Sequence, residues 1–283
     1  MGQTQKIIEP DNTAVRTALW RALHMLADAE PPILEDDIGL KLIAPADDWH
    51  ERPDMKFTKR LRASIIARSR FIEDLIIRQC KQGIDQYVIL GAGLDTFAQR
   101  RQHIASKLQI FEIDQPDTLT WKRQRLEELG FLVPDHLHFV PVDFETSSWW
   151  EELLKAGFDT NKPAVVACTG VTLYLTKEAI VSTLNQIATL APGSTLAMTF
   201  YLPMELLDDE DKPMQELAEK GARAAGTPFL SFFAPNEILD LAYKTGFKEA
   251  KTISTIDMEQ LYFAGRSDNL LPASGEVFLL ATT

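Results

Sequence analysis

The stretch that most constrains this chain is Tyr87-Val88-Ile89-Leu90-Gly91-Ala92-Gly93-Leu94-Asp95-Thr96-Phe97. Four apolar residues run directly into a Gly-x-Gly turn. An apolar run of this kind fits a strand buried on both faces, as in a parallel sheet. Gly91 and Gly93 admit backbone angles that other residues avoid, and they let a ligand lie against the main chain. Open α/β sheets bind nucleotides at such a turn, beyond the carboxyl end of the first strand.

The kind of nucleotide follows from what surrounds the turn. A dinucleotide fold expects Gly-x-Gly-x-x-Gly, the third glycine allowing close helix–strand packing. Thr96 takes that place here, which disfavours an NAD-dependent oxidoreductase. Roughly twenty residues on, Ile110-Phe111-Glu112-Ile113-Asp114 reads as a second strand with acids at its tip. Glu112 or Asp114 can accept hydrogen bonds from both ribose hydroxyls of an adenosine. The plainer reading is that the two acids only terminate the strand. Asp143-Phe144 follows a third predicted strand, His138-Phe139-Val140-Pro141, and an aspartate there can simply cap a turn.

The Gly91-Ala92-Gly93-Leu94-Asp95-Thr96 loop and Phe111-Glu112-Ile113-Asp114-Gln115-Pro116 resemble the leucine carboxyl methyltransferase family, including its bacterial S-adenosylmethionine (SAM) O-methyltransferases. The likeness extends to Ala67-Arg68-Ser69-Arg70-Phe71-Ile72, Val142-Asp143-Phe144, Thr169-Gly170-Val171-Thr172-Leu173-Tyr174-Leu175 and Tyr262-Phe263-Ala264-Gly265-Arg266. It covers residue 60 to the C-terminus, and it is carried by the order of the motifs. It implies a class I methyltransferase with SAM as cofactor, held by Gly91, Ala92, Gly93 and Asp95. It favours Asp114 over Glu112 for the ribose. It places Asp143 and Phe144 at the adenine and Arg68 at the methionine carboxylate. A guanidinium can clamp a carboxylate with two parallel hydrogen bonds. Arg68 and Arg70, two apart on a helix, cannot share one face. Thr169 departs from the family, where Glu is commoner, and cannot form a salt bridge to the SAM ammonium.

Composition narrows the partners. The 283 residues are 45% apolar, enough for a sizeable core, and 29 basic against 41 acidic residues give a net charge of −12. An acidic chain repels phosphate backbones and anionic membranes. Two cysteines, Cys80 and Cys168, provide no disulfide framework, so a reducing cytoplasm is expected. The start, Met1-Gly2-Gln3-Thr4-Gln5-Lys6, has neither a signal core nor a myristoylation pattern. No apolar stretch is long enough to span a membrane.

Along the chain, residues 12–29 read as a helix capped by Asn12 or Thr13 and stopped by Pro31-Pro32. Residues 31–55 read as short helices and loops, and 56–82 as a long helix ended by Gly83. Strands are predicted at 86–90, 108–113, 136–141, 163–168, 194–201, 247–255 and 276–281, with helices at 116–129, 147–156, 177–190 and 235–245. That alternation is a Rossmann-like α/β sheet of seven strands, the last two antiparallel. The expected division is a helical N-terminal cap, residues 1–85, and a SAM-binding domain, 86–283, with a lid insertion at 202–234. In the insertion, Met204, Leu206, Leu207, Phe229, Leu230, Phe232 and Phe233 are expected to enclose an acceptor pocket, while Asp208–Asp211 face solvent.

His136-x-His138 lacks the spacing of a zinc site, and no nucleophile elbow appears. Trp149-Trp150 reads as core or a helix edge. Methyl transfer asks little of side chains, because the cofactor carries the activated group. A carboxylate acceptor needs no base; for a hydroxyl, Tyr174, Tyr201 and His24 are unranked candidates. The reading is a cytoplasmic SAM-dependent O-methyltransferase acting on a hydroxyl or carboxylate of a small molecule. Its closest rival is a protein carboxyl methyltransferase, since founding family members modify a protein C-terminus. An NAD-dependent oxidoreductase and a non-catalytic adenosine-binding module are the other readings.

Overall fold

A computed structural model describes residues 12–144 and 146–283. The Met1–Lys6 segment considered above lies outside them. The chain opens with helices α1 (Asn12–Ala27) and α2 (Ile38–Ile43), then the long α3 (Lys59–Lys81). Gly83 terminates α3 at φ +95°, its N–H returning to Cys80 O at 3.1 Å, a left-handed stop that glycine adopts without strain.

Strands and helices then alternate as β1 (Gln86–Leu90), α4 (Phe97–Arg100), α5 (Gln102–Ala105), β2 (Gln109–Asp114), α6 (Pro116–Glu128), β3 (Leu137–Pro141), α7 (Trp149–Lys155), β4 (Ala164–Cys168), α8 (Lys177–Ala188) and β5 (Thr195–Tyr201). The chain closes with α9 (Lys212–Ala224), α10 (Pro235–Thr245), β6 (Glu249–Ile253), α11 (Thr255–Met258) and β7 (Glu276–Thr282). The sheet order is β3-β2-β1-β4-β5-β7-β6. β7 runs antiparallel between β5 and β6, so its first residue lies opposite Tyr201, the last of β5.

All five residues of β1 and of β4 are buried, because helices cover both faces of the sheet. On one face Ile66, Ala67 and Phe71 of α3 pack with Ile89, Ile110 and Ala167. On the other, Val88, Phe111 and Val166 pack with Ile180, Leu184 and Ile187 of α8. Trp149 and Trp150, edge to face at the start of α7, are partly buried against that second face. α1 leans on α2 and α3, with Ala18 and Leu19 fully buried.

The long elements lie where periodicity places them. The four-residue helices α4, α5 and α11, and the π-turn at Glu259–Phe263, have no counterpart in the predicted elements. Pieces this short have no repeating apolar face, so only their tertiary surroundings specify them. Among the described residues, no helix is long and apolar enough to cross a membrane.

Candidate functional site

The Gly-x-Gly turn sits at the carboxyl edge of the central strand and is tied to its neighbour. Gly91 N and Ala92 N both donate to Ile113 O, at 2.9 and 3.1 Å. Gly91 has φ +72°, and a Cβ there would lie 2.3 Å from Val171 Cγ2. Both the left-handed backbone and the contact demand glycine. Gly91→Ala is therefore expected to destabilise the fold by about 1–3 kcal/mol, the cost of a strained left-handed residue. Chemical denaturation checks it, and the added Val171→Ala change should return part of the loss. Unchanged stability in Gly91→Ala would contradict this view of the turn.

Gly93, at φ +49°, donates its N–H to Asp114 Oδ2 at 2.6 Å. Asp114 Oδ1 accepts from Gln115 N at 2.7 Å. The carboxylate at the tip of β2 thus faces the glycine turn. Asp95 Oδ1 takes the Phe97 N–H at 2.8 Å and starts α4.

Glu112 is a different case and corrects the reading that it could meet a ribose. It lies opposite Ile89, within the sheet rather than at its tip. Its side chain is completely buried and pairs with the equally buried Lys122 of α6, Nζ to Oε2 at 2.5 Å. Burial pushes its pKa up to about 7, against the opposing pull of Lys122. Glu112 holds α6 to the sheet.

Thr96, in the place of the third glycine, ties the turn to the N-terminal helices. Its hydroxyl donates to Asp36 Oδ2 at 2.7 Å, and Arg21 Nε reaches the same oxygen at 2.7 Å. Arg21 also donates to Leu94 O at 2.6 Å. Burial favours the neutral acid at Asp36, but Arg21, Arg100 and the Thr96 hydroxyl outweigh it and hold its pKa below the ordinary value. Neither Arg21 nor Asp36 stands out in the sequence, since a lone charged residue on a helix or loop carries no pattern.

Arg68 lies against Gly170, where a Cβ would come within 2.9 Å of its Nη1. Nη1 donates to Glu276 Oε1 at 2.9 Å. The two side chains are only 13% and 9% exposed. Burial works against the charge on Arg68, yet Glu276 and the nearby tyrosine hydroxyls keep its pKa raised. Arg70, on a different face of α3, binds Asp74 and Ile33 O instead. Thr169 follows β4 and, with Ser69, Glu73 and Asp95 and the apolar Ile72, Ile89 and Phe97, lines a small cavity of about 40 Å³.

At the tip of β3, Asp143 accepts from the Thr146 hydroxyl at 2.9 Å, while the Phe144 ring beside it is 41% exposed. Of the three candidate bases, His24 on α1 is fully buried. Its Nε2 accepts the Ile33 N–H at 2.9 Å, which leaves Nδ1 to donate to Asp28. Burial and Glu276 push the Tyr201 phenol well above its ordinary pKa. Tyr174 packs edge to face with Phe229, ring centroids 5.6 Å apart. His138 stacks on Phe111 and bonds Gln109.

The insertion crosses the carboxyl ends of β4 and β5. Leu230 N donates to Leu173 O at 2.6 Å, Ser231 Oγ to Leu175 O at 2.6 Å, and Phe233 N to Tyr201 O at 2.9 Å. Two expectations about it fail. Phe233 and Leu207 are buried rather than pocket-lining, Phe233 within the core of the α8 face. Asp211 does not face solvent: it is 5% exposed, clamped by Arg60 at 2.7 and 2.9 Å and bonded to Ser274 N and Oγ. Four donors compensate the cost of taking this carboxylate out of water.

A strand order of this kind, a glycine turn and an acid at the next strand tip suit an adenosine cofactor, and known proteins agree. Residues 14–188 match the family model described as leucine carboxyl methyltransferase. A protein of Bacillus subtilis named as a SAM-dependent methyltransferase, YktD, is 34% identical over 212 residues, covering 75% of this chain and 69% of that one. A similarly named protein of Mycolicibacterium smegmatis is 33% identical, covering 70% and 69%. Two solved structures share the fold. One, of a DUF574 family protein from Streptomyces avermitilis, has TM-score 0.61 at 13% identity, covering 97% of this chain and 98% of that one. The other, from Thermobifida fusca and described as a methyltransferase, has TM-score 0.59 at 20% identity, covering 97% and 95%. The chain belongs to the leucine carboxyl methyltransferase family and is a SAM-dependent methyltransferase.

Proposed function

We propose that this methyltransferase works on oxygen, transferring the methyl group to a hydroxyl or carboxylate of a small molecule in the cytoplasm. The single observation that carries this reading is the strap at 229–233, which crosses the carboxyl ends of β4 and β5 and sets Phe229 on Tyr174. An aromatic wall beside a few polar groups suits a small acceptor. In this reading residues 1–85 act as a cap, residues 86–283 hold the cofactor, and the 202–234 insertion is the lid. The rival acceptor is a protein C-terminus.

The proposed division of labour follows the geometry. Gly91, Ala92 and Gly93 offer open backbone, and Asp95 fixes the turn that follows. Asp114 takes the ribose hydroxyls, Asp143 the adenine amino group with Phe144 alongside, and Arg68 the methionine carboxylate. Thr169 lies near that end as a neutral neighbour. SAM, when bound, supplies a methyl group already activated on its sulfonium. The chain's own part is to align the acceptor oxygen and exclude water.

Two candidate bases are poorly suited to taking a proton from an acceptor hydroxyl. His24 is enclosed in the cap, and Tyr201 keeps its own proton. That favours a carboxylate acceptor, which is already a nucleophile at neutral pH. Incubation with methyl-labelled SAM and fractionated cell extract tests both points. Label is expected in the small-molecule fraction, released as methanol by mild alkali, because methyl esters hydrolyse there and methyl ethers do not. Label confined to protein would sink the small-molecule reading. Alkali-stable label would move the target to a hydroxyl.

A further inference from the structure

Three residues spaced four apart on α3 grip the polypeptide around the start of β7. Arg60 clamps Asp211, which also holds Ser274; Ser64 Oγ accepts the Ala273 N–H at 2.9 Å; Arg68 pairs with Glu276. The first two fasten the lid and the β7 lead-in to the helix. The third stands where a ligand would arrive. Arg68 touches Gly170, and Val171 covers Gly91. Gly170 and Val171 are consecutive, so the ion pair and the glycine turn abut the same dipeptide.

An α-amino acid end carries a carboxylate and an ammonium on one carbon. Its complement is a guanidinium beside a carboxylate. The Arg68–Glu276 pair is that complement, mostly buried and held at 2.9 Å. Nearby alternatives for the ammonium are poorer. Thr169 is neutral. Asp95 already has Oδ1 engaged by the Phe97 N–H. We infer that Glu276 is a cofactor-binding residue that receives the ammonium of SAM while Arg68 receives its carboxylate. The pair exchanges one buried ionic contact for two reciprocal ones, which avoids leaving either charge unmatched. The inference rests on the Arg68 reading given above.

Calorimetry with three probes tests it: S-adenosylhomocysteine, its deaminated analogue and its decarboxylated analogue. The wild type is expected to bind both analogues more weakly than the parent, by about tenfold to a hundredfold each, as for loss of a charged hydrogen bond. Glu276→Gln should weaken the parent and erase the preference over the deaminated analogue, leaving the preference over the decarboxylated one. Glu276→Asp should restore part of the lost preference. Arg68→Ala gives the mirror result and reports on its own role. If Glu276→Gln weakens parent and deaminated analogue equally, Glu276 only positions Arg68 and the inference is overturned. It is also overturned if the amino-group preference survives Glu276→Gln and disappears in Asp95→Asn. A failure confined to Arg68→Ala would instead overturn the carboxylate reading. Thermal melting of each free variant separates misfolding from lost recognition.

Discussion

Lys122→Met is expected to destabilise the protein by about 3–5 kcal/mol at pH 8, because it leaves Glu112 buried without a partner, either carrying an unmatched charge or binding a proton that is scarce at that pH. The pair has no access to solvent on either side. Its Coulombic gain does not exceed its desolvation cost by much, so the double change Glu112→Gln with Lys122→Met should lie well above the single variant in stability. The penalty should also depend on pH. Burial, opposed by Lys122, raises the Glu112 pKa from 4.5 to about 7. A carboxyl with a raised folded pKa binds its proton more tightly in the native state. Its stabilising contribution is complete below the unfolded value and is lost as pH rises through about 7. Lys122→Met should therefore be less damaging at pH 5 than at pH 8, and Glu112→Gln should flatten the wild-type profile between them. Urea denaturation at both pH values measures this. A loss under about 1 kcal/mol in Lys122→Met would show that water reaches the pair.

Glu112 also shows where sequence reading stops. Glu112 and Asp114 are two apart, so the alternation of a strand puts them on the same face and cannot separate them. What separates them is depth. Leu90, the last residue of β1, pairs with Ile113, so Asp114 lies one residue beyond the end of that strand while Glu112 lies inside. That register, and the return of Lys122 across α6, are tertiary facts. The β1–turn unit is legible because its chemistry is local: an apolar run, then glycines that the backbone requires. The Asp211–Arg60 clamp is not, since the partners are 151 positions apart and an acidic run ordinarily faces water. The insertion's aromatics divide for a similar reason. Composition marks Phe229 and Phe233 alike, but only packing sends Phe233 into the core and leaves Phe229 on Tyr174.

Asp114→Ala should lower affinity for S-adenosylhomocysteine by roughly 30- to 1000-fold, the equivalent of one or two charged hydrogen bonds to the ribose. Two effects contribute, and they can be separated. Asp114 also accepts the Gly93 N–H at 2.6 Å, so its loss loosens the turn as well as removing the ribose contact. Asp114→Asn keeps an oxygen for Gly93 but no longer offers two equivalent charged acceptors. If ribose recognition dominates, Asp114→Asn should bind S-adenosylhomocysteine and its 2′-deoxy analogue with nearly equal affinity, whereas the wild type prefers the parent. If the turn dominates, Asp114→Asn should be close to wild type and only Asp114→Ala should be weak. The first outcome is expected, because a neutral amide gains less than a carboxylate from a hydroxyl donor in a partly buried site. The turn retains its other ties: Gly91 N and Ala92 N remain bonded to Ile113 O in either variant, so the glycine backbone stays anchored to β2 when the Asp114 side chain is gone.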